Sequence, residues 1–161
     1  MTLSVGDRIP EATLFVPAEG PAEKKLTTDL FAGRKVVLVG VPGAFTPTCH
    51  RNHVPGFIEN RDAVLAKGVD EIFVLSTNDT HVLKAWAEAT GGKGKVTFVS
   101  DGNSEFITKA GLANDASVVG MGTRSKRFAM IIDDNVVKAL LLEETPGQAV
   151  ISSAAAVIEA L

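Results

Sequence analysis

The sequence predicts an α/β fold in which helices cover both faces of a mixed central β-sheet. Near-continuous runs of β-branched, aliphatic and aromatic residues indicate buried strands at residues 36–39, 72–75, 96–99 and 128–132. Segments with apolar residues at helical spacing separate the first three runs, and a short polar turn follows the fourth. Strands that alternate with helices and then end in a hairpin indicate a sheet with both parallel and antiparallel pairs.

The remaining elements follow from spacing and from capping residues. Helices are predicted over residues 51–67, 80–90, 104–110 and 153–161. Asp79 stands where an N-cap is preferred for the second of these helices. The turn at 133–135 is too short for a parallel crossover, so residues 136–142 should pair antiparallel with 128–132. This is the plan of a thioredoxin-like fold, and we expect residues 1–161 to form one such domain.

Composition excludes several classes of protein. Of the 161 residues, 45% are hydrophobic and 22% are charged, which are globular rather than disordered proportions. The net charge of -3 lacks the basic surplus of a nucleic-acid-binding protein, so no nucleic-acid partner is expected. No apolar run reaches the roughly 18 residues of a membrane helix, and the first residues lack a secretory pattern. We therefore expect a cytoplasmic protein without a membrane partner.

The chain has a single cysteine, Cys49. One cysteine can form neither an internal disulfide nor a cysteine-rich zinc site. Two interpretations remain, since a free cysteine is either a small buried apolar side chain or a reactive thiol. A free thiol also suits a reducing compartment better than an oxidising one.

The surroundings of Cys49 favour the reactive thiol. It follows the strand at 36–39 through the loop at 40–48 and opens the next helix. Unpaired backbone N–H groups and the positive end of the helix dipole favour thiolate over thiol at such a position. The neighbouring residues are polar or cationic rather than apolar: Thr46, Thr48, His50, Arg51 and Asn52. Thr46 precedes the cysteine closely enough for its hydroxyl to share the same pocket.

The pattern Pro42-x-x-x-Thr46-x-x-Cys49 resembles the active-site signature of the peroxiredoxins. Three longer blocks are similar to the type II, or peroxiredoxin-5-like, branch of that family: residues 41–49, His53-Val54-Pro55-Gly56-Phe57 and Gly122-Thr123-Arg124-Ser125-Lys126-Arg127-Phe128-Ala129. The resemblance extends from about residue 5 to residue 161.

The resemblance implies a thiol peroxidase that reduces hydrogen peroxide and alkyl hydroperoxides in antioxidant defence and cell redox homeostasis. Cys49 would attack the peroxide and become a sulfenic acid. By the same resemblance, Thr46 would hydrogen-bond the peroxide, and Arg127 would hold the thiolate and the developing oxyanion. Pro42 would shield the sulfur from water.

The resemblance also bears on how the sulfenic acid is reduced. Relatives carry a resolving cysteine at the positions of Val74 or Ile151, and both residues are aliphatic here. We therefore expect a one-cysteine mechanism in which an external thiol attacks, with glutathione and glutaredoxin first and thioredoxin second. A homodimer is also implied, and Phe45 and the loops around the site are candidate interface elements.

The histidines near Cys49 leave other functions open. A Cys–His pair using His50 or His53 would suit a hydrolase, and a thiol that reacts once would suit a redox sensor or chaperone-like binding protein. His53 matches the family motif, so a supporting or packing role is favoured. Metal binding is the weakest interpretation because the nearest acidic residue is Glu59. We expect neither a metal nor a cofactor.

Three further sequence features concern a proline, an arginine and a glycine-rich segment. Pro55 lacks an N–H group and should either kink the helix that contains it or leave the first turn of that helix detachable. Three interpretations of Arg124 are open: it lies in a solvated basic loop, it lines the rim of the site, or it steers an anionic reductant. The glycine-rich segment at 91–94 is predicted to be a flexible loop rather than a phosphate-binding one.

Overall fold

The computed structural model describes residues 1–161 and contains nine strands and six α-helices. The strands are β1 Thr13–Val16, β2 Glu23–Leu26, β3 Lys35–Gly40, β4 Glu71–Ser76, β5 Thr97–Ser100, β6 Ala113–Asp115, β7 Thr123–Ser125, β8 Phe128–Asp133 and β9 Val136–Leu142. The helices are α1 Thr27–Leu30, α2 Val54–Glu59, α3 Arg61–Leu65, α4 Thr80–Thr90, α5 Glu105–Lys109 and α6 Ala154–Ala160. A π-helical turn, Cys49–His53, precedes α2, and a 3-10 turn, Ser117–Val119, precedes β7.

The predicted mixed sheet is confirmed. Seven strands pair in the order β2-β1-β5-β4-β3-β8-β9, and β6 and β7 form a separate antiparallel pair. Strands β3, β4 and β5 are parallel to one another, while the pairs on either side of them are antiparallel. The three parallel strands are the apolar runs that alternate with helices in the sequence, because parallel neighbours need a crossover between them.

Helices cover both faces of the sheet because its central strands are apolar on both sides. Val37 and Val39 point into one cluster of buried side chains, which also holds Cys49, Phe57 of α2 and Trp86 of α4. The alternate residues of β3, Val36 and Leu38, point into a second cluster on the opposite face. That cluster also holds Phe31, which directly follows α1, and Phe106 and Ile107 of α5. Cys49 therefore lies on the face that α2, α4 and α6 cover.

The predicted hairpin of β8 and β9 is also confirmed. Asp133 pairs with Val136, so Asp134 and Asn135 alone form the turn. Both have positive φ, 46° and 66°, a conformation that aspartate and asparagine tolerate better than most residues. The predicted N-cap of α4 is present as well, since the Asp79 carboxylate accepts the Val82 N–H at 3.0 Å.

The prediction of one helix over residues 51–67 is wrong. The chain instead forms the π-helical turn, then α2, a break at Asn60, and α3. The Val54 N–H bonds the Cys49 carbonyl, and Pro55 has no N–H to continue an α-helical pattern. The Asn60 side chain donates to the Gly56 carbonyl and its backbone leaves the helical region, which separates α2 from α3.

Four strands were not predicted because they are short and partly polar. Every residue of β2 is exposed and three of its four side chains are charged, so the strand shows no apolar alternation. Residues 17–22 form the turn that joins β1 to β2. No helix combines the length and the apolar character that crossing a membrane requires.

A close approach at the end of β3 gives a test of this packing. A Cβ atom on Gly40 would overlap the ring of Phe128, whereas a Cβ on Gly56 in α2 would meet nothing within 4 Å. Gly40→Ala should lower the free energy of unfolding by about 1 to 3 kcal/mol through overpacking. Gly56→Ala should raise it by about 0.5 to 1 kcal/mol because alanine loses less entropy in a helix.

Chemical denaturation of the two variants measures both effects. Since both variants make the same covalent change, a decrease of similar size in both would contradict the packing described for Gly40.

Candidate active site

Cys49 is positioned by the loop that follows β3. The loop is tied to the neighbouring strand, because Val41 N–H bonds the Leu75 carbonyl at 3.0 Å and Ala44 N–H bonds the Asn78 side chain at 2.8 Å. Phe45 adopts a positive φ of 62°, which reverses the chain before the π-helical turn. Cys49 begins that turn and is fully buried.

The only hydrogen-bond partner of the Cys49 sulfur is Arg127. The guanidinium donates from Nη2 to Sγ at 3.1 Å, and Arg127 is only 3% exposed. Arg127 directly precedes β8, whose first residue, Phe128, pairs with Gly40 at the end of β3. The pairing of two strands thus brings together residues far apart in sequence. A buried apolar cysteine has no need of such a partner, so the contact favours the reactive thiol.

Arg127 is held at three points without a carboxylate. Its Nε donates to the Pro146 carbonyl at 2.8 Å, and Nη1 lies 3.1 Å from Nδ1 of His53. None of the ion pairs of the structure includes Arg127. Its positive charge is therefore not neutralised by a contacting acid and acts on the Cys49 sulfur at short range.

The partners of His53 determine where its proton lies. Arginine can only donate, so Nδ1 accepts from Arg127 and the proton is on Nε2. Nε2 lies 2.9 Å from the Ser152 carbonyl and 3.1 Å from its hydroxyl. Burial is the largest of the effects that lower the pKa of His53 from 6.5 to about 4. The hydrogen bond to the Ser152 carbonyl raises the pKa, the charge of Arg127 lowers it, and the charge of Glu143 raises it. His53 is neutral near pH 7.

The arrangement does not suit a Cys–His hydrolase. Neither nitrogen of His53 contacts Sγ, because one faces Arg127 and the other faces Ser152. The Nδ1 atom of His50 accepts a hydrogen bond from Trp86 Nε1 at 3.0 Å, and its ring lies against Phe45. A nucleophile activated by histidine requires a hydrogen bond that neither side chain makes. His81, the remaining histidine, is exposed on α4.

Thr46 and Pro42 lie in the loop that approaches Cys49 but do not bond its sulfur. The Thr46 hydroxyl donates to the Gly43 carbonyl at 2.7 Å, which leaves its oxygen able to accept. The Pro42 carbonyl accepts from Nη1 of Arg124 at 3.2 Å, and Nε of Arg124 donates to Met121. Arg124 is therefore half-buried against the loop and does not point freely into solvent.

Three residues that surround Arg127 and His53 were not predicted from the sequence. Glu143, Pro146 and Ser152 lie between β9 and α6, and each contributes a carbonyl, a hydroxyl or a carboxylate to the buried contacts. No local pattern marks them, because their role depends on where the connection folds back. At the two positions where relatives carry a resolving cysteine, Val74 is buried in β4 and Ile151 is exposed in the connection between β9 and α6.

Comparison with known proteins identifies close relatives. A model of the redoxin family matches residues 4–158. Chloroplastic peroxiredoxin-2E-2 of Oryza sativa subsp. japonica is 48% identical over 165 residues, which cover 99% of this chain and 73% of that protein. Among solved structures, reduced Prx3 from Vibrio vulnificus in complex with H2O2 is 42% identical with a TM-score of 0.92, covering 99% and 96% of the two chains. The Plasmodium falciparum antioxidant protein (1-Cys peroxiredoxin) is 30% identical with a TM-score of 0.90, covering 98% and 97%.

The buried, neutral His53 makes stability depend on pH. The unfolded chain takes up a proton at His53 near pH 6.5, whereas the folded protein does so only near pH 4. Acidification from pH 7.5 to 5 should therefore lower the free energy of unfolding by about 2 kcal/mol through this residue. His53→Gln, whose amide can accept from Arg127 and donate to Ser152, should remove that part of the loss.

Denaturant titrations at both pH values measure the effect, with His81→Gln as the matched control on an exposed histidine. Equal losses of stability on acidification in the two variants would contradict the assignment to His53.

Proposed function

Because this chain belongs to the redoxin family and is a peroxiredoxin with a thioredoxin-like fold, we propose that Cys49 is the thiol with which it reduces hydroperoxides. The observation that carries this assignment is the contact of the Cys49 sulfur with the buried guanidinium of Arg127. A cation at that distance stabilises the thiolate, which is the nucleophilic form of cysteine. The substrates are hydrogen peroxide and alkyl hydroperoxides.

The chemistry follows from the charges that move during the reaction. The thiolate attacks the terminal peroxide oxygen, the S–O bond forms and the O–O bond breaks. Cysteine is oxidised to the sulfenic acid, and the leaving hydroxide or alkoxide takes up a proton to become water or an alcohol. Negative charge moves from sulfur to the leaving oxygen, so a donor that bonds Sγ beforehand also stands beside the developing charge.

Thr46 and Pro42 complete the proposed site. The Thr46 hydroxyl already donates to Gly43, so its oxygen is free to accept the O–H of a bound hydroperoxide. Pro42 offers no N–H of its own, and its half-buried ring limits the approach of water to the sulfur.

The single cysteine supports a one-cysteine mechanism, and the motif blocks around Cys49, His53 and Arg127 support the type II, peroxiredoxin-5-like branch. An external thiol displaces water from the sulfenic acid to give a mixed disulfide, and a second thiol then releases Cys49. Glutathione with glutaredoxin is the first candidate and thioredoxin the second. The name of one relative, a 1-Cys peroxiredoxin from Plasmodium falciparum, is in keeping with this mechanism.

A homodimer also belongs to the proposal. Phe45 is 49% exposed beside the active-site turn, and Val118 and Val119 are exposed on a separate turn. Exposed apolar side chains of this size are common at interfaces between subunits.

An assay of turnover tests the proposed reaction and the reductant together. The purified protein should consume hydrogen peroxide continuously when supplied with glutathione and glutaredoxin, and more slowly with thioredoxin and its reductase. Cys49→Ser is the control and should abolish consumption, because the serine hydroxyl is not a comparable nucleophile at neutral pH. A single reaction without turnover under every reductant would instead identify a redox sensor.

Removal of the guanidinium tests the role of Arg127. Arg127→Met should lower the second-order rate constant for oxidation of Cys49 by hydrogen peroxide by roughly 10²- to 10³-fold, since a donor to the developing charge is lost. The rate constant is measured by competition with a haem peroxidase in a single turnover, which requires no reductant.

Arg61→Ala, in α3, is the control for the loss of one positive charge and should leave the rate constant unchanged within twofold. A similar rate constant for Arg127→Met and the wild type would contradict the proposed site.

A further inference from the structure

A buried carboxylate lies at the far end of the contacts that hold Arg127. Glu143 follows β9 directly and is 7% exposed. Its Oε2 accepts two hydrogen bonds from one residue, the Ser152 N–H at 2.6 Å and the Ser152 hydroxyl at 2.7 Å. Glu143 forms no ion pair. Burying a carboxylate is costly unless its oxygens are hydrogen-bonded, so this arrangement holds Ser152 tightly.

Ser152 transmits that constraint to His53. The serine has one hydroxyl proton, which it donates in the hydrogen bond to Glu143. The hydroxyl oxygen can therefore only accept a hydrogen bond from its other neighbour. That neighbour is Nε2 of His53, which the Ser152 carbonyl also faces. Two acceptors at Nε2 require a proton there, which leaves the lone pair of Nδ1 for Nη1 of Arg127.

We propose that Glu143 is a positioning residue for the peroxide reaction, because it fixes Ser152, which fixes the ring of His53, which in turn holds Arg127 against Cys49. This inference rests on the proposed function of Cys49. These hydrogen bonds join four titratable or charged groups, Cys49, His53, Arg127 and Glu143, and no other acid or base forms a hydrogen bond or an ion pair with them.

The reason for an indirect connection lies in the geometry of the guanidinium. A carboxylate in direct contact with Arg127 would compete with the sulfur for its donors and neutralise its charge. With a neutral imidazole at Nη1 and a carbonyl at Nε, Nη2 remains for Sγ. Glu143 thus supplies a buried negative charge to the region without contacting Arg127.

Loss of the Glu143 acceptor has a defined consequence. Ser152 would lose both hydrogen bonds to Glu143, so its carbonyl and hydroxyl would no longer be held in place at Nε2 of His53. The His53 ring would then be free to move away from Nη1 of Arg127, which would weaken one of the three contacts that hold the guanidinium. A shift of the order of 1 Å in a group that aligns reactants costs up to about 10²-fold in rate.

A double-mutant cycle tests the proposal. Glu143→Leu should lower the rate constant for oxidation of Cys49 by hydrogen peroxide about 10- to 100-fold in a single turnover. Glu144→Leu, on the adjacent exposed residue, is the matched control and should stay within twofold of the wild type. In an Arg127→Met background, Glu143→Leu should change the rate constant by less than twofold, because the residue acts only through Arg127.

The double-mutant cycle distinguishes a positioning role of Glu143 from a general contribution to stability. A merely structural Glu143 would lower the rate by the same factor in both backgrounds, and that result would overturn the proposal. So would a wild-type rate constant in Glu143→Leu. A wild-type protein whose Cys49 does not react with peroxide would instead overturn the proposed function.

Two further measurements test the proposal even if Glu143→Leu does not fold. Ser152→Ala removes only the hydroxyl and should slow oxidation by about 2- to 10-fold, the value of one hydrogen bond, with no further slowing in the Arg127→Met background. Nitrogen-15 NMR of the wild type should show His53 protonated at Nε2 and not at Nδ1 near pH 7. An unchanged rate in Ser152→Ala, or a proton on Nδ1, would overturn the proposal.

Discussion

The contact between the Arg127 guanidinium and the Cys49 sulfur is the interaction on which the rest of the site depends. A buried cation is unstable unless each of its donors finds an acceptor, and here a thiol sulfur, a carbonyl and a neutral imidazole supply them. Because none of these groups is a carboxylate, the positive charge remains available to the sulfur. The site thus combines a low-dielectric environment with a cation held at a fixed distance, and both strengthen its effect on a thiolate.

The fold supplies this contact through the pairing of β3 with β8. The loop after β3 carries Cys49, and Arg127 precedes β8, so the antiparallel pair Gly40–Phe128 places them at the same end of two neighbouring strands. The absence of a side chain at Gly40 lets the ring of Phe128 pack against the strand. The connection from β9 to α6 then closes over both, with its carbonyls directed at Arg127 and His53. Errors in strand register would therefore reach the site directly.

Regular elements with strong apolar patterns were predictable from the sequence, and irregular ones were not. Strands β3, β4 and β8 and helix α4 were predicted within a residue because burial on both faces, or a cap with helical spacing, leaves a local signal. The edge strand β2 carries three charges and shows no such signal. The division of the helix after Cys49 arises from Pro55 and Asn60, and the π-helical turn depends on backbone bonds that no spacing rule describes.

The sequence by itself determined that the protein has one thiol, that this thiol begins a helix after a buried strand, and that it stands in a peroxiredoxin-like motif with Arg127 elsewhere in the chain. These properties are local or compositional, so they can be read along the chain. Only the tertiary structure decided that His53 contacts Arg127 rather than Cys49, and that Glu143 bonds the Ser152 that faces the other nitrogen of His53. Hydrogen bonds between groups distant in sequence depend on sub-ångström placement, which the packing of the sheet, the helices and the final connection provides.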